Sequence, residues 1–185
     1  MARHGEVMTS ARDKKDAVDA RIIDLVLKDI QGEIKAAAET GSGLPKKLNV
    51  ERLAKSLGFR IQRGQSVERQ DIIPVPAFYS DREMRLEVAR RLARGQLRKI
   101  AASCPVTKED RARQSQLCNF VAATERDGSK VDYVAAAVLM PTEDFRKWGK
   151  RLEWRIGPLA DSYAVPQELA SIRRDTLRPK DESDD

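Results

Sequence analysis

The sequence predicts an α+β domain in which helices form most of the structure and a small sheet forms the rest. Apolar residues recur at helical spacing along most of the 185 residues, and two short β-branched stretches lie between residues 59 and 79. A hydrophobic content of 41% beside 35% charged residues suits one buried core under a charged surface. We expect the domain to span residues 46–178, with disordered ends at 1–9 and 179–185.

Residues 10–40 are predicted to form one long amphipathic helix. Its apolar positions recur every four residues, at Val18, Ile22, Val26, Ile30 and Ile34. The run Thr40-Gly41-Ser42-Gly43, followed by Pro45, cannot continue a helix. We expect this helix to pack across the domain or to mediate self-association.

A short helix and the two strands should follow. Asn49 is a suitable N-cap for the segment VERLAKSL, and Gly58 supplies a left-handed end. The strands are predicted at 59–63 and 71–79. Pro74 and Pro76 cannot donate ladder hydrogen bonds, so the second stretch should be an edge strand or an extended connection.

Helices are predicted for the remainder of the domain. The first begins near Asp81 and ends near Ser103, before Cys104-Pro105, and a second covers 107–126. Residues 131–140 are short, apolar and rich in alanine, which favours a buried helix. Another helix starts at 141–143, with Trp148 and Trp154 as expected core anchors, and residues 158–177 read as helix, turn, helix.

Composition limits the protein's expected location and its cysteine chemistry. The net charge is +6, although the terminal DESDD alone carries four acidic groups, and an acidic tail of this kind is expected to aid solubility. The sequence has no apolar run of membrane-spanning length and no secretory signal, so we expect a cytoplasmic protein. The two cysteines lack paired spacing; both should be reduced, and Cys118 should be a buried structural residue.

Four segments together resemble the ImmA/IrrE family of metallopeptidase-like proteins, in the order that this family shows. They are LNVERLAKSLGFRI, ARRLAR at 89–94, VDYVAAAVLMPTEDF at 131–145 and AVPQELASIRRDTL at 164–177. The resemblance covers residues 46–178 and implies a zincin-like fold. Active members carry an HExxH helix reading AHELGH, in which two histidines bind zinc and the glutamate acts on the metal-bound water.

The resemblance also shows what has been replaced. Arg90, Arg91 and Arg94 occupy the positions of the two histidines and the glutamate, and Lys130 lies where the third ligand, a glutamate, would be. A guanidinium has donors but no lone pair for a metal. We therefore predict no catalytic residue, no metal and no cofactor. A carboxylate metal site containing Glu87 and Asp132 is a weak alternative.

Other catalytic classes lack their signatures as well. The sole histidine, His4, lies in the N-terminal tail, so serine, threonine and cysteine nucleophiles in the domain have no histidine base. The glycines are dispersed and form no phosphate-binding loop.

Two interpretations of the arginines remain open. Leu86, Ala89, Leu92, Ala93, Leu97 and Ile100 share one side of the helix, which should be core, whereas the arginines share another. The basic face is either simply solvated, or it binds an acidic peptide or phosphate through Arg90, Arg94 and Arg98.

The C-terminal helix pair offers a candidate DNA-reading face. Polar and basic side chains are expected on the outer side of its second helix, at Gln167, Ser171, Arg173, Arg174 and Arg178. The same arrangement occurs in any small helical pair with one wet face.

Taken together, these patterns favour a non-catalytic regulatory protein of bacterial or mobile-element origin. The resemblance implies that it binds a protein partner such as a helix-turn-helix repressor. The first alternative is a DNA-binding transcriptional regulator, and the second is a peptidase with an unrecognised metal site.

Overall fold

A computed structural model describes residues 22–38, 45, 47–64, 69, 71–103, 115, 118–123 and 129–178. It confirms the predicted α+β class, with helices around a two-stranded sheet. Residues 22–29 and 118–123 are helical and are named α1 and α5. The remaining elements are α2 (Gln31–Ala37), α3 (Val50–Ser56), β1 (Arg60–Arg63), β2 (Ile72–Val75), α4 (Asp81–Ser103), α6 (Ser129–Leu139), α7 (Thr142–Arg151), α8 (Ile156–Tyr163) and α9 (Gln167–Leu177).

The described part of the N-terminal apolar stripe packs against the core, which is one of the two roles expected for it. Ile22, Val26 and Ile30 are buried among the core residues. Within 22–38 the helix is not continuous, because Ile30 adopts φ −110° and ψ 15° at the junction of α1 and α2. Residues 10–21 and 39–40 of the predicted helix lie outside the described residues.

The next elements follow their local signals. The Asn49 side chain accepts a hydrogen bond from the Arg52 amide at 2.9 Å and caps α3, and Gly58 has φ +83°. β1 and β2 pair in parallel, with Arg60 opposite Ile72. The second strand is shorter than the predicted 71–79: it ends at Val75, since Pro76 and the turn at 77–78 interrupt it.

The core lies where α4 packs on α6 and α6 packs on α9. The apolar side of α4 is fully buried at Ala89, Leu92, Ala93 and Leu97. α6 is buried over most of its surface, which confirms the interpretation of the alanine-rich segment. Its small side chains allow neighbouring helices to approach closely.

A tight turn folds Trp154 back onto α7. Glu153 and Trp154 both have positive φ, at 53° and 56°, and the indole lies over Gly149. A Cβ at position 149 would lie 2.4 Å from the Trp154 ring, so this position requires glycine. Trp148 and Trp154 are 7% and 5% exposed, which confirms that they anchor the core.

One prediction about the cysteines is wrong, since Cys118 is exposed. α5 buries Phe120 at 4% exposure, and a residue two positions earlier in a helix points away from that side. Cys104 and most of the predicted 107–126 helix lie outside the described residues. In the described part of the chain, no helix is both long enough and apolar enough to cross a membrane.

Candidate functional site

The arginine cluster on α4 contains one side chain with a defined partner. Two nitrogen atoms of the Arg90 guanidinium donate to the carboxylate of Asp132 on α6: Nε to Oδ1 at 2.6 Å and Nη2 to Oδ2 at 2.9 Å. The two side chains are 33% and 18% exposed. A bidentate, partly buried pair of this kind is the stronger and more directional class of ion pair.

The pair occupies the position where the family resemblance would place a zinc ligand. Hydrogen bonding to Asp132 raises the pKa of Arg90, burial opposes this, and the negative charges of Asp132 and Glu87 raise it further. Both carboxylate oxygens of Asp132 accept hydrogen bonds from Arg90. This pairing disfavours Asp132 as a metal ligand beside Glu87. Among the described residues, no group of three or more histidine, cysteine, aspartate or glutamate side chains could hold a metal.

The other arginines of the motif differ from Arg90. Arg91 and Arg98 are exposed, and Arg94 is partly buried. Within the described residues, Arg94 forms no ion pair. The fourth replaced position, Lys130, places its ammonium 4.9 Å from the centroid of the Phe120 ring. The cluster is therefore not a uniform basic face, because its first member already holds a carboxylate of this chain.

Two consecutive aromatic residues, Phe78 and Tyr79, follow β2. Phe78 is 85% exposed in the turn after β2, and its ring meets that of Tyr79 edge to face at 5.3 Å. Tyr79 contributes to the electrostatic environment of Arg90, so it lies near the pair. At this exposure the Phe78 ring is accessible to a partner. Sequence reasoning did not single out Phe78.

The predicted DNA-reading face needs one correction. Arg173 is 4% exposed, so it does not lie on the outer side of α9. Its Nε donates to the Met140 carbonyl at 3.0 Å and its Nη2 to Thr142 Oγ1 at 2.7 Å. Burial, and then the positive charge of Arg146, lower its pKa to about 10. Its spacing from Leu169 and Ala170, which are buried on the same side of α9, was the signal that could have placed it inside.

The remaining residues of that face are accessible to different degrees. Gln167 is exposed, Ser171 and Arg178 are partly buried, and Arg174 is partly buried with its Nε donating to Asp175 at 2.9 Å. Gln167, Ser171, Arg174 and Arg178 follow one another at intervals of four, three and four, so they share one side of the helix.

A further arginine, Arg85, is structural and was not anticipated. Its guanidinium donates to the Leu48 carbonyl at 2.7 Å and to the carbonyls of Tyr163 and Ala164 at 3.3 and 3.2 Å. Ala164 is left-handed at φ 51°, which ends α8 and turns the chain toward α9. Arg85 thus ties α4 to that turn and fixes how the C-terminal helix pair sits.

Comparison with known proteins shows a likeness to a solved structure. No protein-family model matches the sequence, and no curated protein matches it. A solved Mycobacterium tuberculosis transcriptional regulator has a similar structure, with a TM-score of 0.54, 15% sequence identity and coverage of 93% of this chain. The chain spans about half of that protein, 52% of its length, and at this identity the likeness is one of fold.

Proposed function

We propose that this chain is a non-catalytic regulatory protein that binds a transcriptional regulator and does not cleave it. The Arg90–Asp132 pair carries the proposal. In a zincin-type helix the corresponding side chain would offer a lone pair to a metal, and here it is a cation engaged with a carboxylate. The ImmA/IrrE resemblance supplies the link to repressors, and the structural neighbour is itself a transcriptional regulator.

Electrostatics supports binding without hydrolysis. Arg90, Arg91 and Arg94 place three permanent positive charges within about one turn and a half of α4. None of the three offers a lone pair to a metal, and no member of the trio can remove a proton from water at neutral pH. The chemistry that remains is recognition of an acidic group.

Two exposed or partly exposed side chains suit a contact with a protein partner. Phe78 offers an exposed aromatic side chain, and Arg94, one of the three arginines predicted to bind an acidic group, is partly exposed. Aromatic residues and arginine contribute most of the binding free energy in many interfaces. Because the fork of Arg90 is already filled by Asp132, we assign the external contact to Arg94 and treat Arg90 as a positioning residue.

A binding assay with a defined regulator tests this proposal. The probe is a helix-turn-helix regulator encoded beside this gene, immobilised and titrated with the full chain. We expect F78A and R94E each to weaken binding by ~10-fold or more, which is about 1.4 kcal/mol. R52E is the matched control, because Arg52 is an exposed arginine on a different helix, α3, and its affinity should stay within about twofold of wild type.

Two results would contradict the proposal. One is binding that F78A and R94E leave unchanged. The other is one equivalent of zinc in the purified protein together with chelator-sensitive cleavage of the regulator, which would instead support a peptidase with an unrecognised metal site.

Direct DNA binding is a second candidate, favoured by the helix pair α8–α9 and the shared face of Gln167, Ser171 and Arg174. A salt-resolved titration against several duplexes tests it, with the variants Q167A and R174Q. Loss of discrimination between duplexes in Q167A and a uniformly weaker affinity in R174Q would support base reading and phosphate contact. Binding that is equal for all duplexes in the wild type would show only the attraction of a basic protein.

A further inference from the structure

A cavity of about 440 Å³ lies between α7 and the end of α9. Its lining contains three cationic side chains, one hydroxyl group and two apolar walls, and none of these residues is acidic: Arg146, Lys150, Trp154, Thr176, Leu177 and Arg178. The cations come from two different helices, so the cavity is formed by tertiary packing and not by one run of sequence.

The positive charge in this cavity is poorly compensated on the α7 side. Arg146 and Lys150 are exposed and four residues apart, so they project from the same side of the helix. Neither forms an ion pair within the described residues. The charge of Arg146 also reaches inward, since it contributes, after burial, to the lowered pKa of Arg173.

Donor geometry matches an oxyanion with several acceptor atoms. The guanidinium of Arg146 and the ammonium of Lys150 can both donate to a phosphate, and Arg178, the C-cap of α9, lines the same cavity with its Nε buried. The hydroxyl of Thr176 donates to the Ile172 carbonyl at 2.7 Å, so Thr176 can only accept from a protonated ligand. Trp154 and Leu177 add apolar surface beside these donors. The volume lies within the range of small-molecule sites, roughly 300–1,000 Å³, and exceeds what a bare phosphate needs.

We propose that this cavity binds the phosphate group of a small organic phosphate, with the organic part against Trp154 and Leu177. The site shares no residue with the Arg90–Asp132 pair or with Phe78. It goes beyond the proposed partner binding, and either can fail while the other stands.

Calorimetric titration of the full chain with inorganic pyrophosphate at low ionic strength tests the site. We expect saturable binding that weakens ~10-fold or more in the double variant R146Q/K150Q, because two charge-assisted contacts are lost. The matched control is K147Q: it removes one charge from the same helix, but Lys147 lines a separate groove beside α1 and α2. Its affinity should remain within about twofold of wild type, and circular dichroism confirms that all variants are folded.

The inference is overturned if the wild type shows no saturable pyrophosphate binding, or if K147Q shows an equal loss, which would reduce the effect to net charge. A competition arm identifies the source of the phosphate. If pyrophosphate displaces a short DNA duplex and R146Q/K150Q loses both ligands, the phosphate belongs to nucleic acid and the assignment to a small organic phosphate is wrong. If R146Q/K150Q loses pyrophosphate binding but still binds the duplex, the assignment to a small organic phosphate stands.

Discussion

Replacing Arg173 with alanine is expected to destabilise the fold by about 2–5 kcal/mol. The side chain is 4% exposed, and its guanidinium donates to the Met140 carbonyl and to Thr142 Oγ1. A hydrogen bond from a charged donor contributes roughly 1.5–3 kcal/mol, and the two buried methylenes that alanine lacks contribute about 0.8 kcal/mol each. Relief of the buried charge opposes this: burial lowers the pKa of Arg173 from its ordinary value to about 10, which corresponds to roughly 3 kcal/mol.

The physical role explains why the loss should be large. Met140 and Pro141 join α6 to α7, and a helix leaves its last carbonyls without partners inside the helix. Arg173 reaches this junction from α9 and brings a positive charge to the C-terminal end of α6. It therefore holds three helices together at one point.

Urea unfolding followed by circular dichroism at neutral pH measures the effect. The matched control is R174A, because Arg174 neighbours Arg173 but, among the described residues, forms its ion pair with the exposed Asp175. The cost of R174A should stay below about 0.5 kcal/mol. The stability loss in R173K should lie between those of R173A and R174A, since a lysine ammonium lacks the planar guanidinium that makes both hydrogen bonds. A stability of R173A within about 0.5 kcal/mol of wild type, or an equal loss in R174A, would refute the assignment.

Three further changes have defined outcomes. G149A should lower the thermal midpoint markedly, because the added Cβ would lie 2.4 Å from Trp154. G157A is the matched control: a Cβ there meets nothing within 4 Å, so the change should be neutral or stabilising by up to about 1 kcal/mol. Equal midpoints of the two variants in thermal melts would contradict this contrast. Burial, followed by the hydrogen bond to Asp144, raises the pKa of Tyr163 above its ordinary value of 10.0. The contribution of the Tyr163 hydroxyl to folding stability is therefore present below pH 10 and is lost as the pH rises above 10. In that range the unfolding free energy of wild type should fall by about 1.4 kcal/mol per pH unit relative to Y163F. Parallel stability curves for the two proteins would exclude the effect. Q96M should raise the midpoint by roughly 2–4 °C, because Gln96 Oε1 is buried without a hydrogen-bond partner among the described residues; a clear fall would show that the amide has a role.

Local signals account for the parts of the fold that the sequence predicted well. α4 covers Asp81–Ser103, the range that its periodic apolar residues predicted, and the cap at Asn49 depends on a contact three residues away. These features are decided within a few turns of chain. The strand prediction after residue 75 was too long because apolar, β-branched composition does not show where prolines and a turn end a ladder.

Contacts between distant residues explain what the sequence left open. Arg90 and Asp132 are 42 residues apart, so their bidentate pair could not be read from the spacing of either helix. Cys118 looked buried because its neighbours in sequence are apolar, yet α5 turns Phe120 inward instead. Arg173 was placed outside because arginine is rarely buried, although its helical position lies on the buried side.

The sequence by itself determined that the cluster at 90, 91 and 94 has no lone pairs for a metal, since that property belongs to the guanidinium wherever it lies. Only the tertiary structure decided which arginines are engaged inside the protein and which face solvent. Burial and pairing depend on which helices meet, and the packing of α4 on α6 and of α9 across the α6–α7 junction joins residues far apart in the chain.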